Sequence, residues 1–388
     1  VPLDKGQKNI LVVAGEASAD RYAARVVGRL AEGAGGRTLR FVGTGGDQMR
    51  AAGVELLSDI RDLASIGPRE AITHLRKYVG TYRALVQEVR ERRPAVALLV
   101  DFPEFNLRLA RRLKREGVPV IYYISPQLWA WRRYRVRRVR ACVDKMLVIL
   151  PFEVDFYRRH GVTAEFVGHP LLEDFRPDFN REDFLGGFGL DPARTTLALL
   201  PGSRRREVEY ILPVLLDTAG AILERCPAQF LVSVAPTIDP GFVRQVVSQL
   251  SGSARHHVHV LTADSRDILA NSDFAIVKSG TSTLEAALVG TPFLTTYRIS
   301  PISWHIGRIL VRSRYKGLVN LIADESIVPE LLQDDATPEK LARTAVELLQ
   351  SPEKLTEMKE RMREVTQKLS QRCASEAVAA VIGGYMCG

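Results

Sequence analysis

The chain has 388 residues, 46% hydrophobic and 26% charged, which excludes a disordered or fibrous protein; it is too long for one ordinary core and about right for two α/β domains. The formal net charge of +9 is uneven, with +12 on residues 1–170 and −3 on residues 171–388. A one-sided basic field points to an anionic partner (nucleic acid, an acidic lipid surface or a phosphorylated substrate), the plainer alternative being solubility alone.

Taken in chain order, the first predicted strand is Ile10–Ala14. It ends in the turn Gly15-Glu16-Ala17-Ser18-Ala19-Asp20, where Ser18 and Asp20 can cap the following helix. The G-x-G-x-x-G dinucleotide fingerprint is absent here. A second strand, Arg40–Gly43, leads into Gly43-Thr44-Gly45-Gly46, a weak signal by itself. A helix is expected from about Pro68 to Arg92, because Ile72, Leu75, Val79, Tyr82, Leu85, Val86 and Val89 recur at three- and four-residue steps.

The next strand, Ala95–Asp101, runs into Asp101-Phe102-Pro103-Glu104-Phe105-Asn106. An Asp at the carboxyl end of a central strand stands at the mouth of the ligand crevice and suits a general base; the plain alternative is a helix-capping carboxylate. Strand Val118–Ser125 continues into Ser125-Pro126-Gln127-Leu128-Trp129-Ala130-Trp131, followed by Arg132, Arg133, Arg135, Arg137, Arg138 and Arg140. Arginines beside tryptophans fit base stacking with phosphate contacts, an interfacial patch on an anionic membrane, or a solvated helix face. Strands Met146–Leu150 and Glu165–Gly168 close the first series, and His169 follows as either a turn residue or a cleft residue.

A second series reads Thr196–Leu200, Phe230–Val234, His257–Leu261, Phe274–Val277 and Phe293–Thr296. After its first strand comes Pro201-Gly202-Ser203-Arg204-Arg205-Arg206-Glu207, opening a helix whose backbone N–H groups and arginines favour phosphate. After Val277 comes Lys278-Ser279-Gly280-Thr281-Ser282-Thr283, again a glycine turn into a hydroxyl-rich helix start, with Glu285 one turn on and able to accept from ribose hydroxyls. Two anion-receptive helix starts in one domain point to a nucleotide diphosphate, and no P-loop is present.

Strand–helix alternation with near-continuous apolar strands means doubly wound parallel sheets. The expected layout is a first domain over residues 1–171, an aperiodic linker at 172–191, a second domain over 192–350, and C-terminal helices at 351–388 that pack back on the first domain or on a second copy of the chain. The four cysteines (Cys142, Cys226, Cys373, Cys387) form no C-x-x-C pair, and no metal or cofactor is called for. With no signal-like segment at the start and no apolar run near the ~20 residues that span a bilayer, a cytoplasmic protein with only peripheral membrane contact is expected.

The ordered series GEASAD, DFPEFN, SPQLWAWRRYRVRRV, LPFE, VGHPL, LLPGSRRREVE, KSGTSTLEAAL and VNLIADESIVPELLQ resembles the lipid-A-disaccharide synthase family, from about residue 9 to 370. The resemblance implies a GT-B glycosyltransferase, with two Rossmann-like domains facing a cleft. It implies inverting transfer of 2,3-diacylglucosamine from UDP-2,3-diacylglucosamine to lipid X, at the inner face of the cytoplasmic membrane. It assigns Asp101 as general base, with Glu16 and Glu104 as alternatives. Glu16, Ser18 and Asn106 line the acceptor side with His169, and Asn320 closes the cleft. Ser203, Arg204, Glu207, Gly280, Thr281, Ser282 and Glu285 hold UDP. Trp129, Trp131, Arg132, Arg135, Arg137 and Arg138, with the helix after Ile66, form the lipid side. Two loops depart from the family's commoner wording, at Ala17 and Ala19 (GETSGD) and at Phe102 and Glu104 (DAPDFN). The alternatives are another GT-B enzyme on UDP-N-acetylglucosamine (a muramyl-lipid transferase or a 2-epimerase) and a basic nucleic-acid-binding protein; the latter leaves the two nucleotide-type turns unused.

Overall fold

The computed structural model describes residues 7–35, 38–63, 71–130, 133–250, 253–299 and 314–387. The chain divides into two compact units, Val1–Asp174 with Leu369–Gly388, and Phe175–Lys368.

The first unit holds a parallel sheet of β1 (Lys8–Ala14), β2 (Leu39–Gly45), β3 (Glu55–Asp59), β4 (Val96–Val100), β5 (Val120–Tyr123), β6 (Lys145–Val148) and β7 (Ala164–Phe166), in the order β3-β2-β1-β4-β5-β6-β7. Alternation explains the unbroken apolar run of β1: Ile10, Val12 and Ala14 enter the core on one face, Leu11 and Val13 the core on the other. Helices Ala17–Glu32 and Ala374–Cys387 cover one face; Ala71–Arg92 and Pro103–Arg115 cover the other. Leu85 and Val89 are buried as their spacing predicts, while the predicted start of that helix, with Ile66, lies outside the described residues. Strand β3 escaped the sequence reading because this sheet-edge strand is polar at both ends and only half-buried.

The second unit holds β8 (Thr196–Leu200), β9 (Gln229–Ser233), β10 (Val258–Leu261), β11 (Phe274–Lys278), β12 (Phe293–Tyr297) and β13 (Glu330–Leu332), in the order β10-β9-β8-β11-β12-β13, also parallel. The stretch 172–191 is not featureless. It contains the helix Arg181–Gly187, tied into the second unit by Arg181, which donates to the carbonyls of Pro192, Asn271 and Arg194. The multiply bonded guanidinium, the Asn180 cap and one buried residue, Leu185, hold this helix, so there is no apolar stripe for periodicity to find. Helix Pro352–Leu369 belongs almost wholly to the second unit and Ala374–Cys387 to the first. In the first unit, Glu173 receives the start of the latter helix by accepting from Ser375 N at 2.7 Å and Ser375 Oγ at 2.6 Å.

In each sheet the strand order reverses at one place, between β1 and β4 and between β8 and β11. Loops leaving adjacent strands diverge at such a point and leave a crevice beyond the carboxyl ends. Glu16 and Asp101 stand at the first point, Ser203 to Glu207 and Lys278 to Thr281 at the second.

Candidate active site

At the first switch point β4 ends in a strained turn. Asp101 and Phe102 have φ of 48° and 49°, and Ile124, just past β5, has 63°. Left-handed backbone at non-glycine residues is costly and persists where surrounding contacts enforce it. Here the Asp101 carbonyl accepts from Asn106 Nδ2 at 2.7 Å and from the Tyr122 hydroxyl at 2.5 Å. Asn106 is fully buried and also donates to Val100 O at 3.2 Å. It braces the turn from beneath rather than lining an exposed wall.

The Asp101 carboxyl is pushed up to about 6, first by burial and second by the nearby charge of Glu16, with the Phe102 backbone N–H opposing. Glu16 and Ser18 are exposed at the start of helix Ala17–Glu32, and neither caps it through a side chain. Asp20 does not cap its own helix either: it reaches across to accept from the N–H groups of Gly46, Gln48 and Met49 at 2.6, 3.1 and 3.1 Å. It thereby holds the turn at Gly46 between β2 and the short helix Asp47–Ala51, where a Cβ at Gly46 would stand 2.8 Å from Asp20 Oδ2. Glu104 is exposed and paired with Arg135 at 2.5 Å. His169 is buried, which lowers its imidazole to about 4, and its Nδ1 accepts from Leu171 N at 3.3 Å. It stays neutral and shapes its own turn.

The second switch point joins two βα turns through one ion pair. Glu207 is buried and accepts from the N–H groups of Ser203 and Arg204 at 3.2 and 3.3 Å. It also meets Arg204 at 3.1 Å and Lys278 Nζ at 2.9 Å. Burial would raise its carboxyl, but the bond and charge of Lys278, with help from Arg204, hold it below the ordinary range. The N–H groups that the sequence offered to phosphate are thus engaged by Glu207, whose role here is to shape the turn. Gly202, at φ 119°, has no room for a side chain, since a Cβ would stand 2.6 Å from Glu207 Oε2. Lys278 also lies over the Tyr297 ring at 5.4 Å. Replacing Glu207 by Ala strands this lysine, and a loss of about 3 kcal/mol is expected in urea unfolding, with less for Glu207→Gln.

Helix Thr281–Val289 begins after Gly280 with no side-chain cap, with Thr281 exposed and Ser282 half-exposed. Its start is open to an anion. Thr283 Oγ1 is bonded back to Gly280 O at 2.7 Å, and Glu285 accepts from Ser265 Oγ at 3.1 Å. Asn320 is fully buried with its amide saturated: it donates to Val328 O and Glu330 Oε1 at 2.8 and 2.9 Å and accepts from Ile327 N and Val328 N at 2.8 and 2.9 Å. In this arrangement it braces the 327–330 loop.

A model of the lipid-A-disaccharide synthetase family matches residues 10–382. The chain is 42% identical over 383 residues to the lipid-A-disaccharide synthase of Nitrosococcus oceani, covering 98% of this chain and 97% of that one. The chain belongs to the lipid-A-disaccharide synthetase family. Among solved structures, it is similar to UDP-GlcNAc 2-epimerase from Neisseria meningitidis bound to UDP-GlcNAc, with a TM-score of 0.65 and 13% identity over 97% of this chain and 100% of that one. It is also similar to the glycosyltransferase of kitacinnamycin, with a TM-score of 0.63 and 14% identity over 97% and 98%. These likenesses carry the fold, two parallel-sheet α/β domains of the GT-B class.

The lipid-A-disaccharide synthetase motifs SPQLW and LPFE meet in space. Glu153, from LPFE, is buried and accepts from Ser125 Oγ at 2.6 Å, Trp129 Nε1 at 3.1 Å and Leu150 N at 3.3 Å. Burial pushes its carboxyl up to about 7 against these three donors. Trp129 is half-buried, edge-on to Phe152 at 5.1 Å, so it anchors the loop. Of the arginine run, Arg135 is 13% exposed and occupied by Glu104, whereas Arg133, Arg137, Arg138 and Arg140 are exposed; Trp131 and Arg132 lie outside the described residues. Glu153 and Lys278 are the residues that sequence reasoning passed over. Each lies inside a motif already singled out, but its partner is distant in sequence, which no local spacing reveals.

Proposed function

We propose that this chain is a lipid-A-disaccharide synthase that transfers 2,3-diacylglucosamine from UDP-2,3-diacylglucosamine to the 6′-hydroxyl of lipid X. The observation that carries the mechanism is the Asp101 carboxyl at the β1/β4 switch point, raised to about 6 by burial and Glu16. A carboxylate of that basicity is ionised at neutral pH and strong enough to take a hydroxyl proton as the bond forms. The acceptor oxygen attacks the anomeric carbon from the face opposite the diphosphate. The bond to the diphosphate oxygen breaks, UDP leaves with the electron pair, and the product is the inverted β(1→6) disaccharide. The open helix start at Thr281 and Ser282, with Arg204 exposed nearby in the sheet order, stabilises the leaving diphosphate. Glu285 takes the ribose.

The exposed Arg133, Arg137, Arg138 and Arg140 seat the first unit on an anionic membrane surface. No helix among the described residues is long and apolar enough to cross a membrane. Charge reversal at Arg137 and Arg138 is expected to weaken flotation with vesicles containing anionic lipid; unchanged flotation would remove these residues from the contact. Arg135 is left out because its reversal would break the Glu104 pair.

The test of the activity is UDP release from UDP-2,3-diacylglucosamine in detergent micelles, with and without lipid X. Release that requires lipid X and yields a disaccharide is the expected result. Turnover of unacylated UDP-N-acetylglucosamine instead, with none of the acylated pair, would overturn the substrate assignment.

A further inference from the structure

Phe102 follows Asp101 in the strained turn, and its left-handed backbone is rare for a bulky residue. Two sets of contacts hold it. On one side its ring stacks on Phe105, with centroids 5.4 Å apart and planes 23° apart, and meets Tyr78 edge-on at 6.5 Å. Tyr78 and Tyr82 in turn meet Phe105 edge-on at 4.8 and 6.2 Å. On the other side the ring lies on the backbone of Gly15: a Cβ there would stand 2.3 Å from Phe102 Cγ and Cδ1 and 2.9 Å from Cδ2. Phe102 is half-buried, as are Tyr78 and Tyr82, and all three pack on the fully buried Phe105. The Phe102 ring reaches from helix Ala71–Arg92 to the corner where Glu16 and Asp101 face each other.

We infer that Phe102 is a positioning residue for the transfer reaction, its ring shielding the Asp101 carboxyl from water, and that Gly15 lacks a side chain so that the ring can lie there. This rests on the reading of Asp101 as the base. The groups acting on the Asp101 carboxyl are Glu16 after β1 and the Phe102 backbone N–H; the Tyr122 hydroxyl from β5 is bonded to the Asp101 carbonyl and lies in the field of Glu104, which pairs with Arg135. Truncating the ring changes none of these charges. A downward change in the titration of Asp101 on truncation therefore reports water reaching the carboxyl, since loss of the Phe102 N–H bond would move it upward.

The experiment is the pH dependence of kcat/KM for lipid X in the wild type, Phe102→Ala, Phe102→Leu, Gly15→Ala and the double variant Gly15→Ala/Phe102→Ala. The acid limb is expected to fall by about one pH unit in Phe102→Ala, as desolvation is relieved, and by less in Phe102→Leu, which keeps an apolar cover. Gly15→Ala should reproduce the shift by displacing the ring. It should do little more in the Phe102→Ala background, where the added methyl meets no ring. An acid limb that stays in place in Phe102→Ala and in Gly15→Ala overturns the inference, as does a Gly15→Ala effect of equal size with and without the ring. Failure of the base reading shows separately, as turnover that survives Asp101→Asn; failure of the shielding shows as an acid limb that needs Asp101 and ignores Phe102.

Discussion

Asp101→Asn is expected to lower transfer by about 10²–10⁴-fold, the usual contribution of a positioned base, while UDP binding, proposed for the second unit, stays intact. The wild-type rate should fall as pH drops through about 6, where the carboxyl takes up its proton, and this limb should vanish with the carboxyl. The same substitution should stabilise the fold. The folded-state value lies above the ordinary 3.8, so the folded chain holds the proton more tightly than the unfolded one. Stability from this group is therefore greatest below about 4 and is lost as pH rises to about 6. Removing the charge should return on the order of 2 kcal/mol at neutral pH. An inactive Asp101→Asn protein that melts above the wild type is the predicted pair of results, checked by UDP release and thermal unfolding. An active variant would move the base to Glu16 or Glu104.

Glu153→Ala is expected to cost on the order of 3 kcal/mol, because it leaves a buried serine hydroxyl, an indole N–H and a backbone N–H without their acceptor. Denaturant unfolding measures the loss. Freed from its bond to Glu153, Trp129 should emit at longer wavelength. Glu153→Gln, which keeps an acceptor oxygen, should fall between. The sign with pH follows that of Asp101: the folded-state value of about 7 lies above the ordinary 4.5, so the contribution is largest in acid and declines as pH rises between those values. Together the two carboxyls predict a wild-type stability that decreases from pH 4 toward 7 in this part of the molecule, and each single variant should flatten that slope.

Much of the candidate site was legible because α/β sheets put ligands after strands. Asp101, the Pro201–Arg204 turn and the Gly280–Ser282 turn all follow strands whose apolar runs the sequence displays plainly. The roles of individual side chains were less legible. Glu207 looked like a phosphate-side residue from its place in a helix start, yet it engages those N–H groups itself and pairs with Lys278, 71 positions away. Asp20 sits in a helix N-terminus by sequence but serves the loop at Gly46.

The amino-acid order alone determined the two βα series, their parallel strands and the polar loops that follow them, because burial on both sheet faces demands continuous apolar strands and leaves polar residues only at their ends. Only the tertiary structure decided which loops are neighbours. β1 lies beside β4 and β8 beside β11 although neither pair is consecutive in the chain, and that adjacency sets Glu16 against Asp101 and Lys278 against Glu207. Electrostatic interaction depends on distance in space and on access to water, and neither is a property of position along the chain.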